Sequence, residues 1–433
     1  MKYEAINNKL FRENRARFAA KMKPNSIAIF QSNDEMPRSA DSHHTFRQNP
    51  DLFYLTGIDQ EQTVLVLFPD CVREEMREVL FIRKTNPSLI TWEGHKYSIE
   101  EARETSAIET IYWGTEFWSH LPGLMFLAEN CYLNLNEHGR KPYPVLDREM
   151  RFAHELRQKY PLHHYHRSAP IMHQLRAIKS SLEVALIQHA CNITEKAFRR
   201  ILQFVKPGVH EYEIEAEILH EYLINRATGP AYPSIIASGG DSCILHYVDN
   251  NKQCKDGDVL LMDFGAEYAN YAADLSRTIP VNGSFTERQA KVYNAVLRIK
   301  NEATQMLRPG TTLNDYNEEV AKIVESELIQ LGLLDKKEVA NQDKKKPLYK
   351  EYFMHGTSHF LGIDVHDVGN RYSPIEAGMV FTCEPGIYIK EENLGIRIEN
   401  DILVTNDKPI DLMANIPVEI EEIEELMLVS MPF

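Results

Sequence analysis

A chain of 433 residues exceeds one ordinary domain and predicts about two or three, each able to bury a core. Its net charge of -15 excludes a general nucleic-acid-binding role, because a polyanion needs a basic face, and the one dense basic run, Lys344 to Lys346, reads as a solvated loop. No stretch reaches the roughly eighteen apolar residues of a membrane span, the charged start lacks a secretory apolar core, and six scattered cysteines form no C-x-x-C pair, so a cytoplasmic protein with reduced thiols is expected.

Short apolar runs, SIAIF (Ser26 to Phe30), TVLVLF (Thr63 to Phe68) and EVLFI (Glu78 to Ile82), alternate with helix-like connectors. They predict buried strands of an N-terminal α/β domain over residues 1–170. His163, His164 and His166 follow without a carboxylate or cysteine beside them and read as a solvated boundary loop.

A second domain is expected over residues 176–433. Ser180 and Glu183 form a capping box, and Leu182, Leu186, His189, Ile193 and Ala197 recur at helical spacing behind it. A Pro-Gly turn at Pro207 and an acidic first turn predict the next helix, to Leu223. Strand-like sequence follows from about Pro233 to Val281 and again from Met379 to Val404, separated by helices over Thr286 to Met306 and Thr312 to Leu331. Strands and helices segregated in blocks indicate α+β, and a helix-helix-strand block recurs twice.

Four carboxylates in the strand regions carry chemistry. VLLMDFGAEYANYAADLSRTI (Val259 to Ile279) reads as a hairpin, and a turn centred on Tyr268 and Ala269 sets Asp263 directly opposite Asp274. Two like charges opposed among apolar neighbours are unfavourable unless a cation lies between them. Glu384 is followed by Pro385, which forces an extended backbone, and Glu399 shares a strand face with Arg397. Between these regions FMHGTSHFLGIDVHDVG brings in His355, His359 and His366. His355 and His359 have helical zinc-site spacing, but the H-E-x-x-H glutamate is missing, and Gly356 with Thr357 makes a poor helix interior. Hard oxygen donors with one imidazole suit a pair of divalent ions such as manganese better than thiolate-bound zinc. Two ions about 3.5–4 Å apart would hold a bridging water as hydroxide at neutral pH, which makes a hydrolase.

The words HGTSHFLGIDVHD, DFGAEYANYAADLSRT, EPGIY and GIRIEND resemble the motifs of the pita-bread metallopeptidases, the family of aminopeptidase P, prolidase and methionine aminopeptidase. FRQNPDLFYLTGIDQEQTVLVLFPD and IEEIEELM are similar to segments of aminopeptidase P, so the resemblance spans almost the whole chain. It implies a creatinase-like N-terminal domain and a pita-bread catalytic domain. It implies further that Asp263 chelates one ion, Asp274 and Glu399 bridge two, and His359 with Glu384 binds the other. Glu384 would also shuttle the proton. His355 and His366 would act in catalysis from the substrate side, and His246, Tyr388 and Arg397 would line the substrate. Trp92 lies where relatives reach a neighbouring subunit's active site, which implies a homo-oligomer, dimer or tetramer. Glu384 and Glu399 stand closer together than in longer relatives, so the rim of the pocket is expected to differ.

The implied reaction is release of the N-terminal residue from peptides with proline second. Proline lacks the N–H that ordinary aminopeptidases grip and fixes φ near about -65°. The rival activities are prolidase cleavage of Xaa-Pro dipeptides, a metal-free binding module of the same fold, and a metal-independent creatine hydrolase. The complete ligand set argues against the last two.

Overall fold

The apolar run Ser26–Gln31 forms β1, buried at every position, in the computed structural model, which describes residues 3–140 and 145–428. It lies inside a six-stranded sheet with β2 (Val64–Leu67), β3 (Glu78–Ile82), β4 (Thr110–Trp113), β5 (Asn130–Leu133) and β6 (His164–Arg167), in the order β4-β3-β2-β1-β5-β6. Only β2 runs against its neighbours. A mostly parallel sheet is covered on both faces, which is why these strands read as unbroken apolar runs. Ile27, Val66 and Phe81 on the sheet pack with Leu121 of α3 and Leu156 of α4, in a series of helices that also includes α1 (Lys9–Ala19) and α2 (Pro50–Thr56). Here α3 is Phe117–Leu127 and α4 is Arg148–Lys159. The boundary histidines differ from expectation. His164 and His166 belong to edge strand β6, because their backbone pairs with β5, and His166 Nε2 bonds Asn130 Oδ1 at 2.9 Å.

This sheet belongs to one compact unit, Ala5–Arg176; the chain from Ala177 onward, with the residues before Ala5, forms the other. In the second unit, α5 (Ser181–Phe204) starts where Ser180 Oγ accepts from Glu183 N and Glu183 Oε2 accepts from Ser180 N at 2.8 Å. Its buried residues include Ile187, Ala190, Cys191, Thr194, Phe198 and Ile201 together with the expected Ile193 and Ala197, while Leu182 and Leu186 are half-buried and His189 is exposed. Over its first turns the expected face is therefore rotated, because α6 (Glu211–Ile224) and the strands cover the side one residue further round. Each large apolar side chain fully buried there contributes about 1.5–3 kcal/mol.

Strands follow: β7 (Ile235–Ser238), β8 (Val259–Phe264), β9 (Ala266–Tyr268), β10 (Tyr271–Ala272) and β11 (Leu275–Pro280). A second helix pair, α7 (Glu287–Met306) and α8 (Leu313–Gln330), precedes β12 (Val380–Cys383), β13 (Gly386–Ile389), β14 (Leu394–Arg397) and β15 (Asn400–Leu403). Helix pair and strands thus occur twice. Lys344 to Lys346 form an exposed turn, as expected.

The hairpin register corrects the sequence expectation. Asp263 pairs with Ser276, not Asp274, and Tyr268 pairs with Tyr271. The turn is centred on Ala269 and Asn270, both at positive φ (52° and 64°), a conformation that Asn tolerates and that matches the twist of a two-residue hairpin loop. The ladder breaks at Gly265, where a Cβ would lie 1.7 Å from the Ala273 carbonyl oxygen. Gly265→Ala must therefore push two strands apart. It is expected to cost about 2 kcal/mol or more, read as a lowered urea midpoint, and to reduce peptidase activity with it.

Candidate metal centre and active site

Asp263 near the end of β8 and Asp274 just before β11 lie diagonally across the broken ladder. Tyr232, on the approach to β7, joins them: its hydroxyl is 2.7 Å from Asp263 Oδ1 and 2.5 Å from Asp274 Oδ1. One hydroxyl proton serves only one of the two oxygens. The other contact needs a second proton or a cation. Asp274 is held from behind as well, its backbone N–H donating to the buried Asp401 Oδ2 at 3.0 Å.

His359 arrives on an extended segment alongside β12, where Thr382 N donates to His359 O at 3.0 Å and Glu384 N to Thr357 O at 2.9 Å. The helical reading thus fails in the structure too. Its Nδ1 lies 3.0 Å from Phe360 O, so Nδ1 carries the proton in this hydrogen-bond assignment. The Nε2 lone pair then faces Asp274 Oδ2 at 3.4 Å and Glu384 Oε1 at 3.7 Å. Between β14 and β15, Glu399 accepts from Ser276 Oγ through Oε2 at 2.7 Å, while its Oε1 is buried without a hydrogen-bond partner.

Asp274, His359 and Glu399 offer ligand atoms within 4.8 Å of one another. Glu384 adjoins this group through His359, and Asp263 through Tyr232. Asp263 is also committed elsewhere, since Arg397 donates to its Oδ2 at 2.7 Å. Four carboxylates therefore face one guanidinium in a largely dry site. Burial, then neighbouring carboxylates, pushes Asp274 and Glu399 well above the usual carboxylate range. Burial lifts Glu384 to about 7, with His359 opposing and Asp274 adding. An orphaned buried oxygen, an unprotonated imidazole nitrogen aimed at carboxylates and an excess of negative charge fit divalent cations with hard ligands.

On the other side Arg397 donates to Ser276 Oγ at 2.7 Å and Tyr388 Oη at 3.0 Å. Tyr388 Oη is 2.8 Å from His355 Nε2, and His355 Nδ1 is 2.8 Å from Gly356 O. In the consistent assignment His355 donates to Gly356 and accepts from Tyr388, so both of its nitrogens are engaged. Burial, then Arg397, pushes His355 down to about 3, and it stays neutral. His366 is exposed, its ring 4.4 Å from that of His359. His246 is exposed in a turn near His355. Sequence reading missed Tyr232, Ser276 and Asp401. Asp401 stood inside the quoted word GIRIEND, but a third acid there carries no signal of its own, and Tyr232 and Ser276 are ordinary strand-region residues.

These features describe a metal-dependent hydrolase site, and the chain's similarity to known proteins agrees. The model of metallopeptidase family M24 matches residues 185–406, and that of the aminopeptidase P N-terminal domain matches residues 11–132. The chain belongs to metallopeptidase family M24 and is a hydrolase with an aminopeptidase P-type N-terminal domain and a pita-bread catalytic domain. Among its relatives is the Xaa-Pro aminopeptidase of Haemophilus influenzae, 35% identical over 96% of each chain. The Xaa-Pro aminopeptidase of Escherichia coli is also 35% identical, over 98% of this chain and 99% of that one. Zinc-substituted Escherichia coli aminopeptidase P in complex with product matches with a TM-score of 0.88 at 34% identity, covering 99% of this chain and 100% of the other. No helix among the described residues is long and apolar enough to cross a membrane.

Proposed function

We propose that this chain is a cytoplasmic, homo-oligomeric Xaa-Pro aminopeptidase, residues 176–433 forming the catalytic domain and residues 1–170 the accompanying α/β domain. The observation that carries the reading is the convergence of Asp274, His359 and Glu399, with Asp263 and Glu384 beside them, in a chain of this family. Those five residues would hold two divalent ions, manganese in our reading. Bound there, the ions would supply Lewis acidity and a water acidic enough to lose a proton near neutral pH.

The chain's own groups do the rest. Glu384, 3.7 Å from His359 and 3.9 Å from His355, takes the proton of the attacking water and returns it to the proline nitrogen as the C–N bond breaks. His366 and His246 line the substrate side, and His366 donates to the developing oxyanion. His355 orients Tyr388 beside the substrate. Arg397 holds Asp263 and Tyr388 in place, so that the ligand and the substrate wall move as one.

Prolidase shares the metal ligands and differs only beyond the proline. Kinetics with Ala-Pro-Ala, Ala-Pro and Ala-Ala-Ala separate the readings. Ala-Pro-Ala is expected to be cleaved with the highest kcat/KM, and alanine in place of proline to cost about tenfold or more, roughly 1.4 kcal/mol of transition-state binding. A preference for Ala-Pro would make the chain a prolidase, and equal rates on the two tripeptides would remove proline specificity from the proposal.

A further inference from the structure

The sheet of the first unit ends in a cavity that peptide cleavage does not use. β1, β3 and β4 point the same way, and residues at or just past their carboxyl ends, Gln31, Arg83 with Lys84, and Gly114 with Thr115, line a cavity of about 290 Å³. Open α/β sheets bind ligands at that edge. The volume is at the small end of ligand pockets, which run from about 300 to 1,000 Å³.

The cavity's cations are not equivalent. Arg83 is taken by Glu61 and by Glu93, the latter at 2.7 Å, and Arg151 by Asp34 at 2.6 Å. Arg148 is half-buried, donates from Nε to Gln31 Oε1 at 3.1 Å, and has no acceptor for its terminal nitrogens among the described residues. Lys84 is exposed and has no hydrogen bond or ion pair among them. The lining acid Glu155 pairs with Lys159 at 3.1 Å. Glu149, next to Arg148, is 3% exposed and accepts from Gln31 N at 2.9 Å and Asn134 Nδ2 at 3.4 Å, making no direct bond to the guanidinium. Asp34, Glu149 and Glu35 are near enough to act on Arg148, but Asp34 is already spoken for by Arg151 and none of the three bonds the guanidinium.

A guanidinium partly out of water calls for a counter-charge, and its planar fork matches phosphate or carboxylate. The wall beside it is aromatic: Phe117 and Phe152 are buried, and Trp118 is 40% exposed, with Lys159 Nζ 4.3 Å from its ring centroid. Such a wall takes a ring. We propose that the cavity binds a small aromatic anion, with its phosphate or carboxylate on Arg148 and Lys84 and its ring against Trp118 and Phe117.

Calorimetric titration of the full-length, metal-loaded protein with phenyl phosphate tests this. Saturable binding is expected, weakened about tenfold or more by Arg148→Gln and less by Lys84→Gln. Inorganic phosphate and benzyl alcohol, each with half of the chemistry, should bind at least about tenfold more weakly. Phenyl phosphate bound at the catalytic metals is a separate event that survives in Arg148→Gln and is lost in His359→Ala. Quenching of tryptophan fluorescence should disappear in Trp118→Phe, and cleavage of Ala-Pro-Ala by Arg148→Gln without ligand should stay at the wild-type rate. Absence of saturable binding below about 10 mM would overturn the proposal, as would affinity unchanged in both Arg148→Gln and Lys84→Gln.

Discussion

His359→Ala is expected to lower kcat/KM about a thousandfold or more, roughly 4 kcal/mol of transition-state stabilisation, and to lose bound metal with it. Among the described residues His359 is the nitrogen donor that faces both Asp274 and Glu384, and its Nε2 has no hydrogen bond there. His355→Ala should behave differently. It removes a group hydrogen-bonded to Tyr388 and Gly356 that only borders Glu384, at 3.9 Å, so metal content should hold while turnover falls about 10- to 100-fold. Metal analysis of the purified variants beside steady-state kinetics separates the two cases. Exhaustive chelation of the wild-type protein should abolish activity, and manganese should restore it. A His359→Ala protein that bound two ions and turned over normally would refute the ligand assignment.

Arg397→Met should destabilise the second unit by about 3–5 kcal/mol. Arg397 is 4% exposed and donates to Asp263, Ser276 and Tyr388. Methionine fills much of the volume but leaves the Asp263 carboxylate without its buried counter-charge, which is the costly way to break such a pair. Lysine should recover only part of the loss, because a single ammonium cannot reproduce the forked contacts to three partners. Denaturant unfolding followed on this unit, with and without added metal, is the measurement. The loss should be larger in stripped protein, where Asp263 has no other cation. An unfolding midpoint equal to wild type in both states would contradict this account of Arg397.

Much of the local structure was legible because local chemistry decides it. The capping box at Ser180 and Glu183 starts α5, and the runs at Ser26 and Glu78 become strands, since buried strands need unbroken apolar sequence. The hairpin register was misread by one step of the turn. Nothing local says that Ala269 accepts positive φ; the tight approach of Gly265 to Ala273 and the ladder on both sides impose it. The buried face of α5 was read correctly at Ile193 and Ala197 and misread in the first turns for a related reason. Leu182, Leu186 and His189 do share a helical stripe, but which stripe is covered depends on where α6 and the strands come to lie.

The sequence by itself determined the donor chemistry: two aspartates and two glutamates in strand context, a glycine-punctuated histidine segment between them, and an arginine on the face of the last glutamate. Those identities depend only on the chain, and they restrict the site to cations with hard ligands. Only the tertiary structure decided which atoms meet. That Asp263 faces Ser276, that Tyr232 spans two carboxylates, that the Nε2 of His359 meets Asp274 and Glu384, and that Tyr388 engages the Nε2 of His355 all follow from contacts between residues well separated in the chain. Buried polar groups must find partners collectively, so each one's geometry is fixed by the others and not by its own neighbours in sequence.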